Sequence, residues 1–429
     1  MLRSFIDAFK VAELRHKILF TIAILALYRV GAYIPVPGIP YKELADQAAY
    51  TSNVSLALID LFTGGALAHV SVFSLGIMPY ITASIIMQLM QGVIPAVGRW
   101  AKEGETGRKK ITKTTRYLTL GLGLLNAIGY YFLFQSPATG MPIVYPTEVP
   151  AFLMAAIVIF TLVAGTACIM WMGELITQRG IGNGMSLIIF IAIVSRVPSA
   201  IAASITHQSD LQMGIAITIM VLVVVLAVIP AIIYFDRAQR RIPITYAKRI
   251  QGRKMMGGQN TYLPLKINVA GVIPIIFASV IIYFPAQLGA LFNIQWMQEF
   301  ANVVSTGWLN WLLTALLIVF FSYFYTSIVF NPDDTADNLR KQGGYIPGIR
   351  PGSQTAAYIK GVIDRVTLPG GLFIAIIAVV PSIIFYISGN TLIQAFGGTS
   401  ILIMIGVALD TMSKIESQLK MHNYDGFFK

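Results

Sequence analysis

Along the chain, apolar residues collect in ten long runs set apart by polar, mostly basic segments: 18–34, 70–90, 117–134, 149–172, 185–203, 213–235, 269–291, 308–330, 368–387 and 391–409. Each is near the roughly 20 residues that a helix needs to cross the hydrocarbon of a bilayer, so the pattern predicts ten spanning helices. Before the first run, "MLRSFIDAFKVAEL" sets Leu2, Phe5, Ile6, Phe9 and Leu14 at helical spacing, which predicts an amphipathic helix on the membrane surface. The first run itself reads as a retained span, because "GAYIPVPGIP" follows it without the small-residue motif at which a signal peptide is cut.

The runs divide five and five about the most basic segment, 236–268. An odd number of spans in each half reverses the second half across the membrane, so any internal repeat is an inverted one. The pattern thus predicts an all-α polytopic membrane protein of two facing halves, 18–212 and 213–410. An amino-terminal segment, 1–17, basic loops at 236–268 and 331–367, and a tail, 411–429, complete it.

Composition supports a bilayer as the solvent: with 56% hydrophobic and 12% charged residues over 429 positions, the chain is too apolar for an ordinary soluble core. Charge then orients it. All but three of the 31 Lys and Arg lie in 1–17, 91–116, 174–184, 236–268, 331–367 and 411–429, the segments that share a side with the amino terminus. Lys and Arg close to spanning helices resist translocation, so both termini are expected in the cytoplasm, and the net charge of +12 is mostly cytoplasmic. The exceptions are Lys42, in an outside loop, and Arg29 and Arg196, inside runs.

Candidate chemistry is sparse. Cys168 is the single cysteine, which leaves no internal disulfide, and His16, His69, His207 and His422 lack the spacing of metal ligands. "GETGRKK", 104–110, misses the spacing of a phosphate loop, and "RGIGNG", 179–184, reads as a tight turn between two runs. A secondary solute transporter, the rival class with inverted repeats, usually places Asp, Glu or His within its spans. Here mid-span positions hold almost none. Their polar residues are neutral, Thr82 and Gln88 in the second run and Asn126 in the third, placed either to glue helices together or to line a seam that opens.

Two segments stand apart from the runs. "DRAQRRIPITYAKRIQGRKMMGGQNTYLPLK", 236–266, alternates in "RIPITY" and turns around its glycines, which predicts a projecting β-hairpin. Its Arg237, Arg240, Arg241, Lys248, Arg249, Arg253 and Lys254 suit anionic lipid headgroups, RNA or an acidic protein alike. The other is "LALIDLFTGGALAHV", in which a short apolar piece precedes Gly64-Gly65. Residues 56–62 are too few to span at about 1.5 Å per residue, and Asp60 is costly against lipid. The piece, with Leu56, Ile59 and Phe62 among its apolar residues, predicts a short helix over about 55–67 folded back on the outer side. Gly64-Gly65 would be its hinge, and the second span would begin after His69.

Seven stretches carry a family resemblance: "FTGGALAHVSVFSLGIMPYITASIIMQLM", "KEGETGRKKIT", "GELITQRGIGNGMS", "QRRIPITYAKR", "LPLKINVAGVIPIIFASVIIYFP", "FNPDDTADNLRKQGGYIPGIRPG" and "FGGTSILIMIGVALD". In this order, from about Phe5 to the last run, the chain resembles the SecY family of bacterial protein-translocation channels. The resemblance implies an hourglass pore between the halves. It would pass unfolded secretory polypeptides across the cytoplasmic membrane and release spanning segments sideways into lipid, while hydrolysing nothing itself. Carried onto this sequence, the waist falls on Ile77, Ile81, Met185, Ile189, Ile276 and Ile403, a narrow apolar neck that dewets. Met185 departs from the family, where isoleucine is more familiar, and is softer and unbranched. The folded-back piece becomes the plug, with Leu56, Ile59, Asp60, Phe62, Gly64 and Gly65. A lateral gate between spans two and three on one side and seven and eight on the other takes Thr82, Gln88, Asn126 and Phe284. Arg240, Arg241, Lys248, Arg249, Arg253, Lys254 and Arg350 become a platform for the ribosome or the SecA motor. SecE and SecG subunits, signal sequences, unfolded preproteins and membrane lipids complete the implied partners.

Overall fold

The computed structural model describes residues 7–37, 63–67, 69–135, 150–206, 211–246, 249–251, 254–256, 260–292, 296, 299, 303–304, 307–388 and 398–425. Among the described residues, each of the ten apolar runs falls at least in part on a helix. In chain order the elements are α1 (Ala12–Gly31), α2 (Met78–Val93), α3 (Pro95–Lys102), α4 (Glu105–Gln135), α5 (Ala151–Arg179), α6 (Gly184–Thr206) and α7 (Leu211–Asp236). Four strands follow, β1 (Gln239–Tyr246), β2 (Arg249–Gln251), β3 (Lys254–Met256) and β4 (Asn260–Lys266). Then come α8 (Ile273–Phe292), α9 (Trp308–Val329), α10 (Pro332–Lys341), β5 (Gly344–Tyr345), α11 (Ser353–Ser388) and α12 (Gly398–Asp425).

By length and composition, four stretches among the described residues suffice to cross a bilayer: Ala151–Arg179, Gly214–Asp236, Trp308–Lys341 and Ser353–Ile383. The bent pair α2 and α3, counted as one broken span, makes a fifth. Large apolar side chains such as Phe152, Phe160, Leu226, Leu316 and Ile376 stay exposed on the outer faces, a surface suited to lipid.

Helix ends follow local chemistry. α2 stops at Ile94 because Pro95 has no N–H to continue the ladder; the axis turns by 100°, and α3 begins with that proline in its first turn. Before α10, the Asn331 side chain accepts a hydrogen bond from the Asp333 N–H at 3.1 Å. Asp333 and Asp334 occupy the first turn and Arg340 and Lys341 the last, which matches the helix dipole.

Four boundaries differ from the hydrophobic pattern. α2 begins at Met78, well after His69, because residues 63–67 and 69–77 form turns closed by backbone bonds such as Ser71 N–H to Ala66 O at 3.0 Å and Gly76 N–H to Phe73 O at 2.8 Å. α4 and α11 begin inside the basic segments 91–116 and 331–367, and α12 runs on to Asp425. Lys, Arg, Glu and Gln are good helix formers, so a helix continues past the apolar run that defines it. At the amino-terminal end, Ala8, Phe9, Val11, Leu14 and Ile18 pack against Ile181, Met412, Ile415 and Leu419. The apolar face of that segment therefore covers the carboxyl-terminal part of α12.

The predicted hairpin is present. β1 and β4 pair antiparallel from Gln239↔Lys266 to Thr245↔Asn260, and β2 and β3 pair beyond them. β5 joins the other edge of β1 at Thr245↔Tyr345, giving the order β4-β1-β5. Alternation in β1 turns Ile242 and Ile244 onto Leu265, Leu339, Ile346, Ile359 and Ile363, which roots the hairpin on α10 and α11. Pro243, without an N–H, lies outside the β1–β5 pairing. The main apolar cluster draws on α1, α2, α5 and α6 from one half and α7, α8, α9, α11 and α12 from the other.

Candidate functional site

Four helices bring six aliphatic side chains into the main cluster: Ile77 and Ile81 at the start of α2, Met185 and Ile189 on α6, Ile276 on α8 and Ile403 on α12. All are buried, Ile403 completely. Met185 is placed by its flanks. The Asn183 side chain accepts from the Met185 N–H at 3.1 Å, and Thr177 Oγ1 accepts from the Gly184 N–H at 2.9 Å. A Cβ at Gly173 would lie 2.3 Å from the Met185 sulfur, so α5 leaves space for the long unbranched side chain by having none of its own there.

A cavity of about 580 Å³ opens at the base of the hairpin, lined by Asn183, Ser186, Asp236, Lys266, Ile276 and Asp410 among others. α6 serves as a ruler through this region. Ser186 lines the cavity, Ile189 lies in the aliphatic cluster, and Ala192 and Arg196 meet the turn at Gly64-Gly65. At about 1.5 Å per residue these follow one another over roughly 15 Å. Cavity, apolar layer and glycine turn thus lie in succession.

The turn is fixed from α1 and α6. Gly64 and Gly65 have φ of 68° and 90°, which glycine adopts without the penalty of a side chain, and a Cβ on Gly64 would approach Ala192 Cα to 2.9 Å. Tyr28 Oη donates to the Thr63 carbonyl at 3.3 Å, and Arg29 Nη1 donates to the Gly64 carbonyl at 2.6 Å. Arg29 Nη2 donates to Tyr33 Oη at 3.0 Å, with the guanidinium 4.9 Å from that ring's centroid. The His69 ring lies 5.0 Å from Tyr33. Burial and the neighbouring Arg29 charge hold its imidazole below the ordinary histidine range. Beyond the turn, Leu67, Val70 and Leu75 bury against Tyr130 and Tyr131 of α4 and Val158 and Leu162 of α5.

The two halves also meet where α8 packs against α4 and α2. Thr82 and Gln88 are half-buried and bond within α2, Thr82 Oγ1 to Met78 O at 3.0 Å and Gln88 Nε2 to Ser84 Oγ at 3.3 Å. Asn126 is half-buried on α4. Phe284 lies in α8, and Arg249 and Lys254 in β2 and β3, where the backbone alone is described. Arg240 and Arg241 are exposed on β1, and Arg350 is exposed between β5 and α11, so the β1–β5 pairing brings all three into one module. Leu56, Ile59, Asp60, Phe62, Lys248 and Arg253 lie outside the described residues.

The hydrophobic pattern marked Arg29 and Arg196 only as exceptions to the charge rule, and gave no signal for Tyr28 or Ala192. A charged residue inside an apolar run was the available clue, since such a residue needs a partner.

A family model described as SecY matches residues 71–412. The protein translocase subunit SecY of Streptomyces lividans is 44% identical over 451 residues, and that of Mycobacterium bovis 43% identical over 448, each covering the whole of both chains. Among solved structures, "The structure of a protein conducting channel" matches with a TM-score of 0.61 at 17% identity, over 94% of this chain and 91% of that one. Sec61 in the canine ribosome-channel complex from the endoplasmic reticulum matches with a TM-score of 0.58 at 18% identity and the same coverage.

Proposed function

We infer that this chain, which belongs to the SecY family, is the membrane-spanning subunit of a protein-conducting channel that passes unfolded polypeptides across the membrane and releases apolar segments sideways into lipid. The observation that carries the reading is the succession along α6 of polar-lined cavity, buried aliphatic layer and glycine turn. Ile77, Ile81, Met185, Ile189, Ile276 and Ile403 form the neck, which excludes water and ions while its flexible side chains yield to a passing chain. The cavity is the cytoplasmic vestibule. The segment 55–67, hinged at Gly64-Gly65, is the plug on the outer side.

Thr82, Gln88, Asn126 and Phe284 belong to the lateral gate. Thr82 bonds to Met78 and Gln88 to Ser84, both within α2, so a seam there parts without breaking those bonds. Arg240, Arg241, Lys248, Arg249, Arg253, Lys254 and Arg350 form the docking platform, and the rooting of the hairpin on α10 and α11 holds that charge away from the membrane. Both termini face the cytoplasm. SecE and SecG are the subunits expected beside this chain, and SecA or the ribosome supplies the drive, since the channel catalyses no reaction itself.

Depletion of the protein in its host tests the reading. Uncleaved secretory precursors should accumulate. Loss of one solute's uptake with normal precursor processing would instead favour the transporter.

A further inference from the structure

The contacts at Gly64-Gly65 go beyond a flexible hinge. Two consecutive residues of α1 hold two consecutive carbonyls of the turn: Tyr28 holds Thr63 and Arg29 holds Gly64, across 35 positions of sequence. The Arg29 fork is itself oriented by Tyr33, through a hydrogen bond and by lying against the ring. Tyr28 is fully buried, its ring stacked at 5.8 Å on Phe73 from the same run of turns. On the opposite side, Gly64 sits so close to Ala192 that even a methyl group would not fit.

From this geometry we propose that the outer end of α1 is a latch: Arg29 and Tyr28 hold the hinge carbonyls of Thr63 and Gly64 and so set how readily the plug leaves. The proposal rests on the plug reading above and adds the positioning residues that govern it. Backbone carbonyls are suitable latch points, because any rotation of the hinge that carries the plug outward swings them away from donors fixed on a packed helix. Arg29 is the stronger member, since its bond is charge-assisted and its planar fork is held at both ends.

The test uses the full chain in its host membrane, with Cys168→Ser and Leu67→Cys as background. Leu67 is buried on the segment that follows the hinge and is linked to it by its N–H bond to Thr63 Oγ1 at 3.3 Å. Labelling of Cys at 67 by an impermeant maleimide added outside is read beside ion leak. Arg29→Met should raise the labelling rate and the leak together, on the order of tenfold for one lost charge-assisted bond. Arg29→Lys, which keeps the charge and loses the fork, should recover part of the difference. Tyr28→Phe keeps the stacked ring, should raise both by roughly fivefold, and serves where Arg29→Met fails to accumulate. Unchanged labelling in both variants overturns the latch. Faster labelling with unchanged leak supports the latch and overturns the plug reading beneath it.

Discussion

At the scale of single residues, the informative positions are those at which one side chain decides whether a layer stays dry. Ile403 is completely buried among aliphatic neighbours, so Ile403→Asn puts an amide where water is its natural partner. An unsatisfied buried amide costs about 1–3 kcal/mol, which should favour a hydrated neck by roughly 5- to 150-fold. Ion leak should rise and preproteins with weak signal sequences should pass more easily, whereas Ile403→Leu should behave as wild type. A variant that merely accumulates less and exports nothing better would place Ile403 in ordinary helix packing. Gly64→Ala addresses the other side of the layer. It should strain a φ of 68° and crowd Ala192, loosening the closed arrangement by at least about 1 kcal/mol and raising leak in a conductance measurement. Ile403 is not distinguishable by hydropathy alone, because outward and inward faces of its helix are equally apolar, and the family motifs singled it out; Gly64 was marked by the break in the apolar run. The contacts of Tyr28 and Arg29 were invisible because they join positions far apart in sequence.

At the scale of elements, all ten helical runs and the hairpin were legible, and their ends were not. Hydropathy reports where a helix enters hydrocarbon, while its termini obey proline, capping and propensity; α2 ends at Pro95, and α4, α11 and α12 extend into charged sequence. The turns of 69–77 were read partly as span because Val70, Phe73 and Leu75 are apolar, yet they bury against Tyr130, Met154 and neighbouring residues of α4 and α5 as well as the main cluster. The hairpin separates fold from function cleanly. Ile242 and Ile244 anchor it, while its charge lies on other positions. Reversing Arg249, Arg253 and Lys254 to Glu should therefore leave insertion and the sheet intact but weaken binding of ribosomes and of the SecA motor to membranes, with a reduced dependence on salt. Normal binding of both partners by the triple variant would leave lipid anchoring as the role of that charge.

At the scale of the whole molecule, helices from before and after residue 212 share one apolar cluster, and α8 lies against α4 and α2. Orientation follows from charge rather than packing: nothing in an apolar interior distinguishes the two faces of a membrane, whereas all but three Lys and Arg lie on one side of the expected topology. In a Cys168→Ser background, single cysteines replacing Lys254, Gln354 and Lys42 should thus divide sharply. The first lies in the hairpin and the second at the start of α11, which β5 and the cluster around Ile359 tie to the same module, so both should resist an impermeant maleimide on whole cells and react after the membrane is opened. Position 42 follows the outer end of α1 and should react at once. Labelling at 254 on intact cells would invert the molecule, placing the basic module outside and the cavity that opens at its base away from the cytoplasm, and would remove the basis for any cytoplasmic docking partner.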